Sequence, residues 1–261
     1  MSNVDKPLHG KTAVITGAGR GIGRAIAMTF AKAGADIAIC SRSADELETV
    51  RTSIESIGVR CIAGVADLTN KAATEDFCHE VIKTFGRVDI LVNNAGGLIE
   101  KRKIADSDID SWWRTVEVNI KAPYMVTRLL IDCLSEGGKI INLSTGVALR
   151  AGMQNSAYHV AKAGLHMFTE ALANELQPRG IDVNNLIPGP TATSAFDDMK
   201  NGKRSTADDL LARFENNPPP GLPDVERLKH PDEVAELALY MATMPVGGPN
   251  GQTFSLARRP L

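Results

Sequence analysis

Thr12-Ala13-Val14-Ile15-Thr16-Gly17-Ala18-Gly19-Arg20-Gly21-Ile22-Gly23 runs from an apolar β-type segment directly into a glycine-rich turn. A helical pattern follows over about 21–32. Glycines let a backbone turn sharply and bring its N–H groups close to a pyrophosphate, and a helix N-terminus adds a favourable dipole and unpaired donors. Glycines also make ordinary tight turns. The position of this run, between a first strand and a first helix, is what marks it as a phosphate-binding turn.

Outward from this stretch, short apolar runs alternate with longer amphipathic ones. Strand-type runs lie at 12–16, 36–40, 60–65, 88–92, 139–143 and 181–187, with a weaker one at about 252–256. Helical patterns cover about 21–32, 44–57, 71–85, 111–134, 157–177 and a last stretch from Pro231 to about Met241. Asp232 and Glu233 place negative charge at the start of the last helix, where the dipole favours it. Such repetition predicts parallel strands joined by right-handed crossovers. The strands are continuously apolar, as expected when both sheet faces are covered. The fold class expected is α/β, a doubly wound parallel sheet with helices on both faces and residues 1–261 forming a single domain. One stretch, 188–229, has few periodicities and carries Pro218-Pro219-Pro220. A loop of that length is usually functional or disordered.

Composition narrows the classes further. Of 261 residues, 43% are hydrophobic and 23% charged, which supports a sizeable core under an ordinary surface. The net charge of −2 gives no electrostatic reason to bind nucleic acid or an anionic membrane. Cys40, Cys61, Cys78 and Cys133 are far apart and form no CxxC pair, so neither a disulfide framework nor a metal site is expected. No apolar run is long enough to span a bilayer, and the first ten residues lack a signal peptide's apolar centre. A cytoplasmic setting is expected.

Tyr158-His159-Val160-Ala161-Lys162 sets a tyrosine and a lysine four residues apart (162 − 158 = 4), on one face of a helix. Carbonyl reduction needs a proton donor at the substrate oxygen, and the reverse reaction needs a base there. A free phenol, with a pKa of about 10, is a poor base near neutrality. A nearby ammonium favours the phenolate. His159 and His166 are not needed by this chemistry and are read as packing or surface residues.

The Gly-x-x-x-Gly-x-Gly spacing of Gly17, Gly21 and Gly23, with the Tyr-x-x-x-Lys pair, resembles the short-chain dehydrogenase/reductase family over about 10–256. The resemblance implies a Rossmann-like sheet of about seven strands. It implies that Gly17, Gly19, Arg20, Gly21, Ile22 and Gly23 cradle a nicotinamide dinucleotide, and that Asp67 with Leu68 meets the adenine ring. Asn93-Asn94-Ala95-Gly96 matches the family stretch that stabilises the sheet and borders the cofactor. Members that use NAD end strand two with an acid; here that position is Ser41, followed by Arg42, with Arg20 in the turn. Two guanidiniums near one phosphate would form charge-assisted contacts. The nearest acids, Asp45 and Glu46, lie on the next helix. NADP(H) is therefore expected over NAD(H).

The same resemblance assigns the reacting end. Family members carry a hydroxyl residue thirteen positions before the tyrosine (158 − 13 = 145), which is Thr145 where serine is usual. Ser144 is the alternative. Thr145 would polarise the substrate oxygen, Tyr158 act as acid and base, and Lys162 hold the ribose and tune Tyr158. Asn119 would support a water chain. Pro188 and Gly189 match the loop against the nicotinamide, with backbone near Ile187 for the carboxamide and Thr191 or Thr193 near the phosphates. The stretch 190–229 takes the place of a substrate lid. Leu98, Val147, Leu149, Met153, Phe196 and Met199 are candidates for an apolar wall around a small-molecule substrate. A homotetramer is implied, although Ala257-Arg258-Arg259-Pro260-Leu261 replaces the usual closing glycine pair. The function implied is an NADP(H)-dependent oxidoreductase interconverting a carbonyl and a secondary alcohol. The alternative is a non-catalytic dinucleotide sensor or partner-binding protein on the same fold.

Overall fold

The computed structural model describes residues 6–197, 204–215, 219, 222 and 225–258. Its strands are β1 (Thr12–Thr16), β2 (Asp36–Ser41), β3 (Cys61–Val65), β4 (Val88–Asn93), β5 (Leu134–Leu143), β6 (Asp182–Ile187) and β7 (Thr253–Ser255). They form one sheet in the order β3-β2-β1-β4-β5-β6-β7, parallel at every pairing. The helices are α1 (Gly21–Lys32), α2 (Ala44–Glu55), α3 (Lys71–Phe85), α4 (Ile109–Val116), α5 (Ala122–Leu130), α6 (Ser156–Leu176), α7 (Ala207–Phe214) and α8 (Pro231–Thr243). This is a Rossmann-like, doubly wound sheet. Among the described residues no helix is long and apolar enough to cross a membrane.

The strand period of two explains the two cores. Ala13 and Ile15 of β1 and Ile37 and Ile39 of β2 face α1, α2 and α8, meeting Phe30, Leu47, Ile54 and Met241. The intervening Val14, Ala38 and Cys40 face α3, α5 and α6, meeting Phe77, Val81, Val126 and Leu172. Fully burying one such aliphatic side chain contributes roughly 1.5–3 kcal/mol. An exposed ion pair such as Arg60–Asp36 contributes about 0–1 kcal/mol, so burial dominates the sheet's stability.

The sheet order reverses between β1 and β4, and a crevice opens at their carboxyl ends. The glycine turn follows β1, and Asn94 and Gly96 follow β4, so the topology brings both motifs to one place.

Three elements differ from the sequence reading. The helix expected over 111–134 is broken: α4 passes through a π turn at Glu117–Lys121 into α5, and a short 3-10 turn, Ile131–Cys133, follows. The cause is local, because Asn119 Nδ2 donates to the Thr115 carbonyl and so competes with the regular backbone ladder. β5 begins at Leu134, earlier than expected, with a register shift between Val88 and Ile90 of its partner strand. The stretch read as irregular contains α7, opened by a capping box in which Thr206 and Asp209 satisfy each other's backbone N–H. Its Leu210 packs with Ala192, Leu228 and Phe196 in a small core of its own. Met199, Pro218, Pro220 and residues 259–261 lie outside the described residues.

Candidate active site

The glycine turn has no room for side chains. Gly17 and Gly21 take φ of +66° and +55°. A Cβ on Gly17 would lie 2.9 Å from Ala95 Cα, and one on Gly19 would lie 2.8 Å from Ser41 Oγ. A Cβ on Gly23 would collide with Asn94 Nδ2 and sit 2.5 Å from the Gly17 carbonyl. Asn94 Nδ2 donates to the carbonyls of Thr16 (2.8 Å) and Gly17 (3.1 Å). The N–H groups of Asn94 and Ala95 both donate to Thr16 Oγ1 at 3.0 Å. Thr16 and Asn94 thus lock the turn to the end of β4. Thr16 was not singled out in the sequence, although its hydroxyl immediately before the first glycine was there to be read. Helix α1 starts at this turn without a side-chain cap. A cradle that excludes Cβ atoms and an uncapped helix start fit a pyrophosphate.

Next along the chain, buried amides join β4 to β5 and β5 to α6. Asn93 Nδ2 donates to Asn142 Oδ1 (2.8 Å), and Asn142 Nδ2 donates to Thr169 Oγ1 (2.8 Å). This bears on Asn93 as a stabiliser of the sheet.

At the end of β2 the expectation of unopposed arginines is corrected. Glu46, in the first turn of α2, reaches back, and its Oε1 accepts from Arg20 Nη1 at 3.1 Å. Arg204 Nη1 donates to the same oxygen, also at 3.1 Å. Glu46 lies beside the turn, with its Cβ 3.4 Å from where a Cβ on Gly19 would be, an ordinary packing contact. Arg42 is exposed beside Ser41. Asp67 Oδ1 accepts from the Thr69 N–H (3.0 Å) and hydroxyl (2.8 Å). Burial acts to raise the Asp67 pKa, but these bonds and the charges of Arg42 and Arg114 outweigh it and hold the carboxyl low. Leu68 is buried next to it.

Tyr158, Lys162, Asn119, Thr145 and Ser144 line one cavity of about 650 Å³, together with Ile22 and Asn94 from the glycine end. Pro188, Gly189, Thr191 and Thr193 close another side of it. Lys162 is fully within the protein; its Nζ donates to the Leu143 carbonyl at 2.7 Å and stands 5.8 Å from the Tyr158 ring centroid. Burial pushes Lys162 down to about 8 and Tyr158 up to about 12. The expected lowering of the Tyr158 pKa by the ammonium is therefore not what this structure shows. Loss of water around the phenol outweighs it, and the phenol is protonated at neutral pH.

Asn119 sits in the π turn with every amide proton used. Its Nδ2 donates to the carbonyls of Gly97 (2.6 Å) and Thr115 (2.8 Å), and its Oδ1 accepts from the Gly97 N–H at 3.2 Å. A Cβ on Gly96 would stand 2.7 Å from Asn119 Oδ1, so glycine lets the backbone come close to this amide, with Lys162 Nζ 3.6 Å from the same point. Thr145 Oγ1 accepts weakly from the Val147 N–H at 3.5 Å. The Ser144 hydroxyl is buried and makes no hydrogen bond among the described residues. Both hydroxyls belong to the cavity wall, so the geometry keeps Ser144 beside Thr145.

The loop residues separate. Thr193 Cγ2 would be 3.3 Å from a Cβ on Gly21, over the glycine turn, while Thr191 is buried and donates to the Gly189 carbonyl at 3.1 Å. The Ile187 carbonyl already accepts from the Leu256 N–H at 2.9 Å. Of the apolar candidates, Leu98, Val147 and Phe196 line the cavity. Leu149, 46% exposed, and Met153, 87% exposed, face solvent instead. His159 staples the loop before α6: its Nε2 accepts from the Gly152 N–H (2.9 Å), and Nδ1 pairs with the Asn155 carbonyl (2.8 Å). Sequence reasoning missed Leu222, Glu226 and Ala257 on the cavity wall. Glu226 is buried, 3.1 Å from Lys229 Nζ, and accepts from the Arg258 N–H at 2.6 Å. A charged residue in an aperiodic stretch carries no sequence signal for such burial.

Comparison with known proteins identifies the family. The family model described as short chain dehydrogenase matches residues 11–204. A Thauera aromatica protein, (2S)-[(R)-hydroxy(phenyl)methyl]succinyl-CoA dehydrogenase subunit BbsD, is 33% identical over 251 residues, covering 94% of each chain. L-Sorbose reductase from Gluconobacter frateurii, solved with NADPH and L-sorbose, superposes with a TM-score of 0.86 at 28% identity, covering 98% of both chains. A short chain dehydrogenase from Burkholderia cenocepacia J2315, solved with NADP, gives 0.81 at 34% identity, covering 96% of this chain and 98% of its own. The chain belongs to the short-chain dehydrogenase/reductase family and is an NAD(P)-dependent oxidoreductase.

Proposed function

We propose that the chain interconverts a carbonyl and a secondary alcohol, with NADP(H) as its preferred cofactor. The observation that carries this reading is the opening of Tyr158, Lys162, Asn119 and Thr145 onto one cavity with the glycine turn at its far side. Bound NADP(H) supplies or accepts the hydride. The backbone of Gly17–Gly23 and the start of α1 would hold its pyrophosphate, and Arg20 and Arg42 its 2′-phosphate. Asp67 and Leu68 would border the adenine, and Asn94, Ala95 and Gly96 the adjoining ribose side. Tyr158 and Lys162 would hold the second ribose, with Pro188, Gly189, Thr191 and Thr193 around the nicotinamide.

In reduction, Thr145 donates to the substrate oxygen and Tyr158 transfers its phenolic proton there. A phenol kept protonated by burial suits that step. In oxidation Tyr158 receives the alcohol proton, and Lys162, 5.8 Å from the ring, stabilises the phenolate. Asn119 holds the Gly97 loop beside Lys162 and supports the water that replaces the proton. Two of the named relatives are described as acting on a succinyl-CoA derivative and on a sugar. Their chemistries share the CH–OH centre and differ in everything around it. The Leu98, Val147 and Phe196 wall favours a mid-sized, mostly apolar substrate. Exposed Ile109, Trp113, Val160 and Met167 on α4 and α6 suit a homotetramer built through the long helices.

One observation favours NAD(H) instead: Glu46 brings a carboxylate to Arg20 beside the end of β2, and a carboxylate there could accept from a ribose 2′-hydroxyl. NADPH and NADH consumption against a panel of ketones, aldehydes and diketones, with Tyr158→Phe in parallel, tests the whole reading. Faster turnover with NADPH that vanishes in the variant is expected. Tight NADPH binding with no turnover on any compound would favour the dinucleotide sensor.

A further inference from the structure

We propose that Arg204, carried by the lid, is a third guanidinium ligand of the 2′-phosphate, so that a phosphorylated cofactor fastens the lid to the adenosine corner. The inference rests on the NADP(H) reading and adds a residue from a distant part of the chain to it.

Arg20 Nη1 and Arg204 Nη1 both lie 3.1 Å from Glu46 Oε1. One carboxylate oxygen shared by two cations leaves a net charge of +1 (2 − 1). Arg42, next to Ser41, adds a third guanidinium, partly offset by Asp67, whose carboxyl it helps to hold low, so the corner keeps a net positive charge. A phosphate monoester carries about −1.5 to −2 and offers three strong acceptor oxygens. Its charge matches what the corner lacks, and its oxygens can serve guanidiniums that now share a single atom.

The place is also right. Ser41 Oγ and Glu46 Cβ crowd Gly19 at 2.8 and 3.4 Å from where its Cβ would be, which sets the cluster at the end of β2 beside the turn. Arg204 and Arg20 are 44% and 45% exposed and Glu46 is 30% exposed. Ion pairs this wet are weak and exchange readily for a better anion.

The segment behind Arg204 is firmly built. The Ser205 N–H and hydroxyl both donate to Asp197 at 3.0 Å, and Arg213 Nη2 donates to Ser205 Oγ at 3.0 Å. Thr206 and Asp209 then cap α7, whose Leu210 is buried against Ala192 and Leu228. A tether on Arg204 therefore passes to α7 and to the loop that borders the cavity. Glu46 acts as a counter-ion that keeps two guanidiniums gathered until the phosphate arrives.

The test is calorimetric titration of the full chain with 2′,5′-ADP and with 5′-AMP, for wild type and for Arg204→Ala, Arg204→Lys, Arg42→Ala and Arg20→Ala. Arg204→Ala should weaken 2′,5′-ADP by about 5- to 10-fold and leave 5′-AMP unchanged, since a charge-assisted bond to the 2′-phosphate is lost. Arg204→Lys should fall between, keeping charge but not the fork. Amide exchange over residues 207–214 should slow with 2′,5′-ADP in wild type and not in Arg204→Ala. Wild-type affinity in Arg204→Ala alongside losses in Arg42→Ala overturns the role of Arg204 and leaves the cofactor reading standing. Unchanged 2′,5′-ADP affinity in all three alanine variants overturns both. No ligand-dependent slowing of α7 in wild type overturns the fastening of the lid.

Discussion

The reacting end and the adenosine corner of this crevice use opposite physics. Lys162 is almost wholly out of water and Tyr158 is half-buried, and burial moves the lysine down to about 8 and the phenol up to about 12. Arg20, Arg204 and Glu46 stand partly in water and share one carboxylate oxygen. At the first end, few groups are each strongly perturbed, so one change should be severe. At the second, several weak contacts add, so each single change should be mild.

The largest effect follows from the buried end. Tyr158→Phe keeps the ring that fills the site and removes the proton. Carbonyl reduction should fall by about 10³-fold, within the range of a lost general acid, while NADPH affinity falls no more than about tenfold, the worth of one hydrogen bond to the ribose. Stopped-flow turnover and a fluorescence titration measure the two. Retention of a tenth of the activity would move the acid to another group, with Ser144 and Thr145 the next to test.

Glycine packing comes second. Gly23→Ala forces a Cβ onto Asn94 Nδ2 and to 2.5 Å from the Gly17 carbonyl, both of which belong to the locked turn. Overpacking of this kind costs about 1–3 kcal/mol, or a fall in Tm of about 3–10 °C for a chain of this size. Gly97→Ala meets nothing within 4 Å and should change Tm by less than about 2 °C. Equal Tm values for the two variants would mean that the turn yields easily and is no rigid cradle.

These two predictions concern the parts most legible in the sequence. The Tyr158–Lys162 pairing depends only on helical spacing, and the glycine turn on residue types that no other backbone path requires. The central strand runs were legible because both faces of β1, β4 and β6 are covered, which leaves an almost unbroken apolar signature. What escaped depends on contacts between distant residues. Glu46 is in the first turn of its helix, and its bonds to Arg20 and Arg204 join residues far apart in the chain. The π turn follows from an amide at Asn119 that bonds back to Thr115. Glu226 and Lys229 are buried together in a stretch with no period to announce it. Helix α7 is different, because Thr206 and Asp209 spell a capping signal that was there to be read.

A pH profile tests whether the buried lysine acts through its charge. Lys162 is held at about 8 by burial, so it is protonated below that pH and loses its charge above it. kcat/KM for reduction, which reports the free enzyme, should be level toward neutrality and fall roughly tenfold per pH unit above about 8. Lys162→Arg keeps its charge through this range and should move the falling limb upward. A profile level to pH 10 would leave Lys162 only its hydrogen bond to Leu143.

The adenosine corner gives the smallest effects and the finest discrimination. Arg42→Ala should weaken NADPH about tenfold and NADH hardly at all, because only NADPH carries the phosphate. Glu46→Gln separates two roles for one carboxylate. As a counter-ion, Glu46 partly repels the phosphate, so its loss should tighten NADPH about two- to threefold and leave NADH unchanged. As an acceptor for a ribose hydroxyl, its loss should weaken NADH instead. The ratio of the two affinities rises in either case, so the ratio decides nothing. The individual dissociation constants decide it, and a weakened NADH with unaltered NADPH would turn this corner from a phosphate site into a ribose site.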